Sequence, residues 1–219
     1  MIAEVLAEGS VAVPELTVIA CGVGPGPYTG LRVGLATAVA MSAALGIPVV
    51  GVCSLDVIAE QGRTSTDLPL LVATDARRRE VYAAAYADGR RVLGPVVLPP
   101  SDAADAARTV LDGHNGASAH GDATVMAVGS GSLLYHSVLV DCGVVVAEGE
   151  PGAAYPDAGV LATMVVDHGA AAVDAAAMST SVAVLDHARG SGVEGQVPLG
   201  LLPPRPLYLR RPDAAEPAR

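Results

Sequence analysis

Along most of the chain, unbroken apolar runs of strand length alternate with stretches whose apolar residues recur at helical spacing. Residues 1–8 put Ile2, Val5 and Leu6 on one helical face, which Gly9 ends. Residues 17–23 (TVIACGV) read as a buried strand, 24–29 as a Gly/Pro turn, 30–45 as an apolar helix and 48–53 as a second buried strand. Ser54 is placed to cap a short helix running to residue 60. After the polar stretch 61–67 (QGRTSTD), residues 70–73, 80–87 and 91–98 read as a three-stranded meander, with Asp88-Gly89 as its second turn. Further on, the pattern predicts a helix over 101–111 capped by Ser101, a strand over 124–128, a helix over 132–140, a strand over 143–147 and a helix over 157–168. The Ala-rich stretch 170–188 is expected to be helical in part. The tail, with Pro198, Pro203, Pro204 and Pro206, is expected to be extended. Buried strands alternating with helices predict an α/β fold with parallel pairing, to which the meander adds an antiparallel portion. The polar stretch divides the chain into a first lobe, 1–66, and a second, 67–219.

Composition narrows the function classes. Hydrophobic residues make up 51% of the 219, yet there is no Phe or Trp and only six Tyr, so the core is built from Ala, Val and Leu. The net charge is −10, with 13 basic residues against 23 acidic ones. All the basic residues are arginines, and most of the acidic excess follows residue 100. A free-standing nucleic-acid binder normally shows a basic face and stacking aromatics, and neither is present, so no tight direct nucleic-acid binding is expected. Cys21, Cys53 and Cys142 lie far apart in apolar runs and read as reduced thiols of a cytoplasmic protein. Residues 33–55 carry no charge and are long enough to span a bilayer, but Gly46 and Pro48 divide them into a buried helix and a buried strand. No membrane association is expected.

The most informative segment is Gly22-Val23-Gly24-Pro25-Gly26-Pro27-Tyr28-Thr29-Gly30-Leu31-Arg32, which joins a strand to a helix. Such a junction can hold an anion on backbone N–H groups, which makes Gly24, Gly26 and Thr29 a candidate anion or nucleotide loop. Against this, Pro25 and Pro27 lack an N–H, and neither a Walker A lysine nor a G-x-G-x-x-G pattern follows; a rigid turn is the alternative. In the helix itself, a turn of about 100° per residue puts Leu31, Leu35, Ala38, Ser42 and Leu45 on one face and Val33, Ala36, Ala40 and Ala44 on the other. A helix apolar on both sides must be covered on both, by its own lobe on one and by another part of the chain or a partner on the other. The small residues Gly30, Gly34 and Ala38 form a ridge that suits close helix packing. We therefore expect the interface at Gly30, Leu31, Gly34, Leu35, Ala38 and Met41, and the lobe's own sheet beneath Ala40.

These residues carry a resemblance. The run from Gly22 to Ala59 resembles the signature region of the TsaB family, the dimerisation subunit of the bacterial tRNA threonylcarbamoyladenosine machinery. Three later segments resemble that family's further landmarks, in order. They are Thr74-Asp75-Ala76-Arg77-Arg78-Arg79-Glu80-Val81-Tyr82, Tyr155-Pro156-Asp157-Ala158 and Pro206-Leu207-Tyr208-Leu209-Arg210-Arg211-Pro212-Asp213. The resemblance implies an actin/Hsp70-like (ASKHA) two-lobed fold that has lost most of its catalytic apparatus. It also implies pairing with a TsaD-type catalytic subunit through first-lobe helices, a TsaE-type ATPase as a further partner, and a homodimer or a nucleotide at a subunit interface as alternatives. Relative to the family pattern the chain starts late. By that pattern the first lobe is expected to lack its N-terminal strands, including the phosphate-contacting hairpin, and Met1 falls within an amphipathic helix, as either a start codon assigned too far downstream or a truncated, partner-dependent form would produce.

Other chemistry is thin. Gly129-Ser130-Gly131-Ser132 follows a strand and precedes a helix without forming a G-x-S-x-G elbow, so Gly129 and Gly131 are either a turn or a second vestigial nucleotide contact. His114, His120, His136, His168 and His187 lack metal-ligand spacing, and no metal site or catalytic residue is expected. Asp75 with Arg77, Arg78 and Arg79 marks a charged hairpin turn, read as solvated or as a contact for a subunit or acidic partner. Arg205, Arg210 and Arg211 read as a solvated strap or a partner contact. The expected function is a non-catalytic scaffold, with a small-molecule kinase or glycopeptidase-like enzyme of the same superfold as the alternative.

Overall fold

The computed structural model describes residues 2–114, 124–147, 153–178, 197–198 and 200–209. Two sheets organise it. In the first, β1 (Ile19–Gly24) pairs in parallel with β2 (Val49–Cys53), Ile19 opposite Val49. The second has six strands in the order β7-β6-β3-β4-β5-β8. These are β3 (Leu70–Asp75), β4 (Val81–Ala87), β5 (Arg90–Leu98), β6 (Met126–Val128), β7 (Val145–Val146) and β8 (Val197–Pro198). The β3-β4-β5 meander is antiparallel, whereas β6 runs parallel to both β3 and β7. Asp88 and Gly89 both have positive φ at the β4–β5 turn, the conformation a two-residue hairpin loop needs.

The first helix, α1 (Ile2–Glu8), is followed by α2 (Tyr28–Leu45), which Gly46 ends in the left-handed conformation, its N–H bonded to the Ser42 carbonyl at 2.9 Å. By length and composition α2 could cross a membrane, with a mean hydropathy of 1.2, but its Leu35 and Ala38 pack inward. α3 (Ser54–Arg63) starts directly from β2. Ser54 is its first residue and not its cap, because the capping position falls on Cys53. Likewise Ser101 lies inside α4 (Pro100–His114), its hydroxyl bonded to the Asp102 carboxylate at 3.1 Å. The helix expected over 132–140 is two, α5 (Ser130–Leu134) and α6 (His136–Asp141), broken where Tyr135 leaves helical geometry. α7 (Ala158–Met178) carries a kink at Gly169, and residues 179–188 lie outside the described residues.

The core has the fine grain its composition requires. Ala73, Ala83, Ala85, Ala103, Ala104 and Ala107 let α4 approach the second sheet closely, with Leu71, Leu111 and Leu139 filling the remaining space. α3 lies between the two packing regions: Leu55, Ile58 and Ala59 pack with Leu70, Val72 and Tyr86, while Val57 packs with Val50, Val52 and Met164. Helix α7 and the 200–209 tail, which follow the sequence boundary at residue 66, both return to the first sheet.

The tail forms a strap. Gly51 and Leu202 exchange backbone hydrogen bonds of 2.7 and 2.8 Å, and the Leu207 N–H bonds to the Val23 carbonyl at 2.8 Å. A Cβ on Gly51 would collide with Val23 and lie 2.9 Å from the Pro203 carbonyl oxygen. Gly51→Ala should therefore cost about 1–3 kcal/mol and loosen the strap, read as faster proteolytic cleavage of the tail.

Burial also sets the thiols. It pushes Cys53 up to about 12 and the half-buried Cys21 up to about 11. Iodoacetamide at about pH 8 should modify half-buried Cys142 well before Cys53, which should react only on unfolding, as peptide mass mapping would show.

Candidate functional site

Helix α2 sorts its residues by size. Leu35 and Ala38 are its buried residues, with Leu31, Met41, Ser42 and Leu45 half-buried along the same side, and its main packing partner is β1. Facing outward are Gly30, Gly34, Val33 and Ala40, with Val33 62% exposed and open space over both glycines. The structure therefore corrects the expected orientation. Leu35 and Ala38 lie against the chain's own sheet, and Ala40, expected to lie on that sheet, is exposed. The physical reason is area: a leucine stripe removes more apolar surface from water than an alanine stripe, so the intramolecular contact takes the leucines.

Beside Met41 and Leu45 runs an apolar groove of about 620 Å³, walled by Ile2, Leu6, Val11 and Val13 from α1 and the turn after it. Ile2 is 47% and Val5 62% exposed, so the apolar face predicted for residues 1–8 exists and is uncovered.

At the other end of α2, the Arg32 guanidinium lies 4.0 Å from the Tyr28 ring centroid and 5.7 Å from that of Tyr208. Its Nε donates to the Tyr208 hydroxyl at 2.9 Å, and the two rings are 5.1 Å apart. This stack fastens the strap to α2. Sequence reasoning missed it, because the partners are separated by 176 positions.

The two glycine loops pack on different neighbours. Gly24 is buried at a φ of 98°, where a Cβ would meet Leu31 at 3.1 Å and the Leu207 carbonyl oxygen at 3.4 Å. Gly26 has open space and Thr29 is exposed. A Cβ on Gly129 would strike the Ala73 carbonyl, and one on Gly131 would lie 2.9 Å from the Thr74 backbone, so these glycines let α5 press onto β3. No hydrogen bond joins the two loops among the described residues. Gln61, read as linker, belongs to α3. Its side-chain amide donates to the Tyr155 carbonyl at 3.2 Å and accepts from the Asp157 N–H at 3.0 Å. Asp157 Oδ1 in turn caps α7, accepting from Gly159 and Val160 at 2.8 and 3.0 Å.

One buried ion pair was also missed. Asp56 Oδ1 accepts from Tyr86 Oη at 2.7 Å and from Arg91 Nη1 at 2.9 Å, which ties α3 to β4 and β5. A lone acid flanked by Leu55, Val57 and Ile58 was the available signal. Among the described residues, no group of three or more His, Cys, Asp or Glu side chains converges as a metal would need. His120 and His187 lie outside them.

The family model described as TsaD: tRNA N6-adenosine threonylcarbamoyltransferase matches residues 1–214. The chain belongs to this family. It is 32% identical over 87 residues to the tRNA threonylcarbamoyladenosine biosynthesis protein TsaB of Escherichia coli, covering 39% of this chain and 38% of that one. Against the TsaB of Bacillus subtilis it is 37% identical over 83 residues, covering 38% and 36%. An uncharacterized protein of Mycobacterium leprae is 58% identical over 97 residues, covering 44% of this chain and 26% of that one. The chain thus spans less than half the length of these curated relatives. Its relatives that carry a functional name are TsaB proteins. Among solved structures, a Pseudomonas aeruginosa protein with similarity to peptidase YEAZ superposes over 96% of this chain and 81% of its own, with a TM-score of 0.61 at 24% identity. YeaZ from the same organism superposes over 77% and 75%, with a TM-score of 0.57 at 26% identity. The fold is the α/β, actin/Hsp70-like one expected from the sequence.

Proposed function

We propose that the chain serves tRNA threonylcarbamoyladenosine formation as a non-catalytic scaffold, pairing with a TsaD-type transferase and, through that assembly, with a TsaE-type ATPase. The observation that carries this reading is the outer face of α2: an apolar helix whose Gly30, Val33, Gly34 and Ala40 face open space beside an apolar groove. Small residues on such a face let a partner helix approach closely, and an uncovered apolar patch marks an interaction surface. Gly30, Gly34 and Met41 stay in the proposed interface, Val33 and Ala40 join it, and Leu35 and Ala38 support it from within.

The test is reconstitution. The chain should co-purify with the transferase and raise transfer of the threonylcarbamoyl group to tRNA, while the chain alone should transfer none. Substrate-stimulated ATP turnover by the chain alone would favour the kinase alternative. At a net charge of −10 the isolated chain should bind tRNA with a Kd weaker than about 1 μM at about 0.15 M salt, as filter binding would read.

A further inference from the structure

We propose that Tyr208 is a positioning residue for the pairing surface: closed on Arg32 and Tyr28, it holds the N-terminal half of α2 in the shape that a partner helix meets. This rests on the scaffold reading above. That half of the helix is weak by itself. Its capping position falls on Pro27, which makes no side-chain bond to the first N–H groups. Gly30 and Gly34 are poor helix formers, and β-branched Thr29 and Val33 lose rotamer freedom in a helix. Ahead of Leu35 no residue of α2 is fully buried: Leu31 is half-buried, and Tyr28, Thr29, Gly30, Arg32, Val33 and Gly34 are exposed. Gly30, Val33 and Gly34, half of the proposed pairing surface, lie in this stretch.

The strap supplies the missing support, and it comes from the other sheet. Strand β8 pairs antiparallel with β5. Beyond it, Leu202 is bonded to Gly51 of β2, the Leu207 N–H to the Val23 carbonyl of β1, and Tyr208 to Arg32 of α2. In chain order these anchors cross from the second sheet over both strands of the first and end on the helix. Tyr28 and Arg32 stand one turn apart on α2, so a ring stacked with both ties its first two turns together. At about 100° per residue, Gly30 and Gly34 fall on the opposite flank of the helix from Tyr28 and Arg32. Tyr208 therefore grips α2 without covering the face offered to a partner. A surface held in its bound shape before association loses less freedom on pairing, whereas a frayed helix end must be ordered first.

The test combines hydrogen exchange of the isolated full chain with calorimetric titration against the transferase. In Tyr208→Ala, the amides of Leu31, Arg32, Val33, Gly34 and Leu35 should exchange about fivefold faster, while those from Met41 to Leu45 should not change. Pairing should weaken by a similar factor of about five. Tyr208→Phe keeps the ring, and should return both readings to within about twofold of the wild-type chain. Should Tyr208→Ala disturb the fold, Arg32→Gln removes the cation at little change in helix propensity and should raise exchange over the same amides. Unchanged exchange would overturn the positioning role and leave the scaffold reading standing. Weaker pairing with unchanged exchange would also overturn it, making Tyr208 a direct partner contact. Faster exchange with unaltered pairing would overturn it as well, since the half that Tyr208 holds would not be the half that pairs. A wild-type chain that joins no transferase would overturn the scaffold reading and the proposal with it.

Discussion

Asp56→Ala should remove about 3–5 kcal/mol of folding stability and lower the melting temperature by about 10 °C. Asp56 is 1% exposed and its carboxyl accepts from both Tyr86 and Arg91, so its loss leaves two buried donors, one of them the Arg91 guanidinium, without their shared acceptor. Desolvation makes an unpaired buried charge far more costly than the intact pair is favourable. Tyr86→Phe, which removes a single bond to a charged group, should cost only about 1.5–3 kcal/mol. The double substitution Asp56→Leu/Arg91→Met should recover most of the loss, because it removes both charges together. Urea unfolding checks all three. A double variant as unstable as Asp56→Ala would show that packing, not charge, makes the site sensitive.

The pH dependence follows from the same burial. Desolvation raises the Asp56 carboxyl, against the pull of Arg91, Tyr86 and Cys53 in the other direction. A folded pKa above the unfolded one means that the folded chain holds this proton more tightly. The group's contribution is then full below the unfolded value, about 3.9, and declines as pH rises through the folded one. Relative to Asp56→Asn, the wild-type chain should therefore lose stability, not gain it, as pH climbs through that window.

What the sequence made legible was local. Strand runs, the Asp88-Gly89 turn and the Gly46 stop depend on neighbouring residues, and each lies where the pattern predicted it. Caps were less legible, since Ser54 and Ser101 are good capping residues one step too far into their helices, and the choice between neighbours rests on backbone torsions. Contacts distant along the chain were not legible. Asp56 meets Arg91 across 35 positions, Gly51 meets Leu202, and Arg32 reaches Tyr208. Helical period showed that α2 has two apolar faces, but the choice between them depended on which one β1 would cover.

That choice yields the sharpest test of the proposed interface. Gly34→Arg should weaken pairing with the transferase about a thousandfold, which is about 4 kcal/mol, because a long cation would enter a closely packed apolar contact. The isolated chain should not suffer. Gly34 faces open space in the middle of an exposed helical surface, where exchanging glycine for arginine improves helix propensity by about 0.5–1 kcal/mol. Pairing should therefore fall while the melting temperature holds or rises, a combination that general damage to the fold does not produce. Ala38→Arg should behave in the opposite way. Ala38 is 5% exposed on a helix packed against β1, so a buried cation there should unfold the lobe and abolish pairing only as a consequence. Calorimetric titration against the transferase and thermal unfolding of each isolated variant separate the two cases. Normal pairing by Gly34→Arg would remove α2 from the interface. If the substitution instead dissolved a self-associated form while transferase binding stayed intact, the outer face of α2 would belong to a homodimer, and the transferase would have to be held elsewhere.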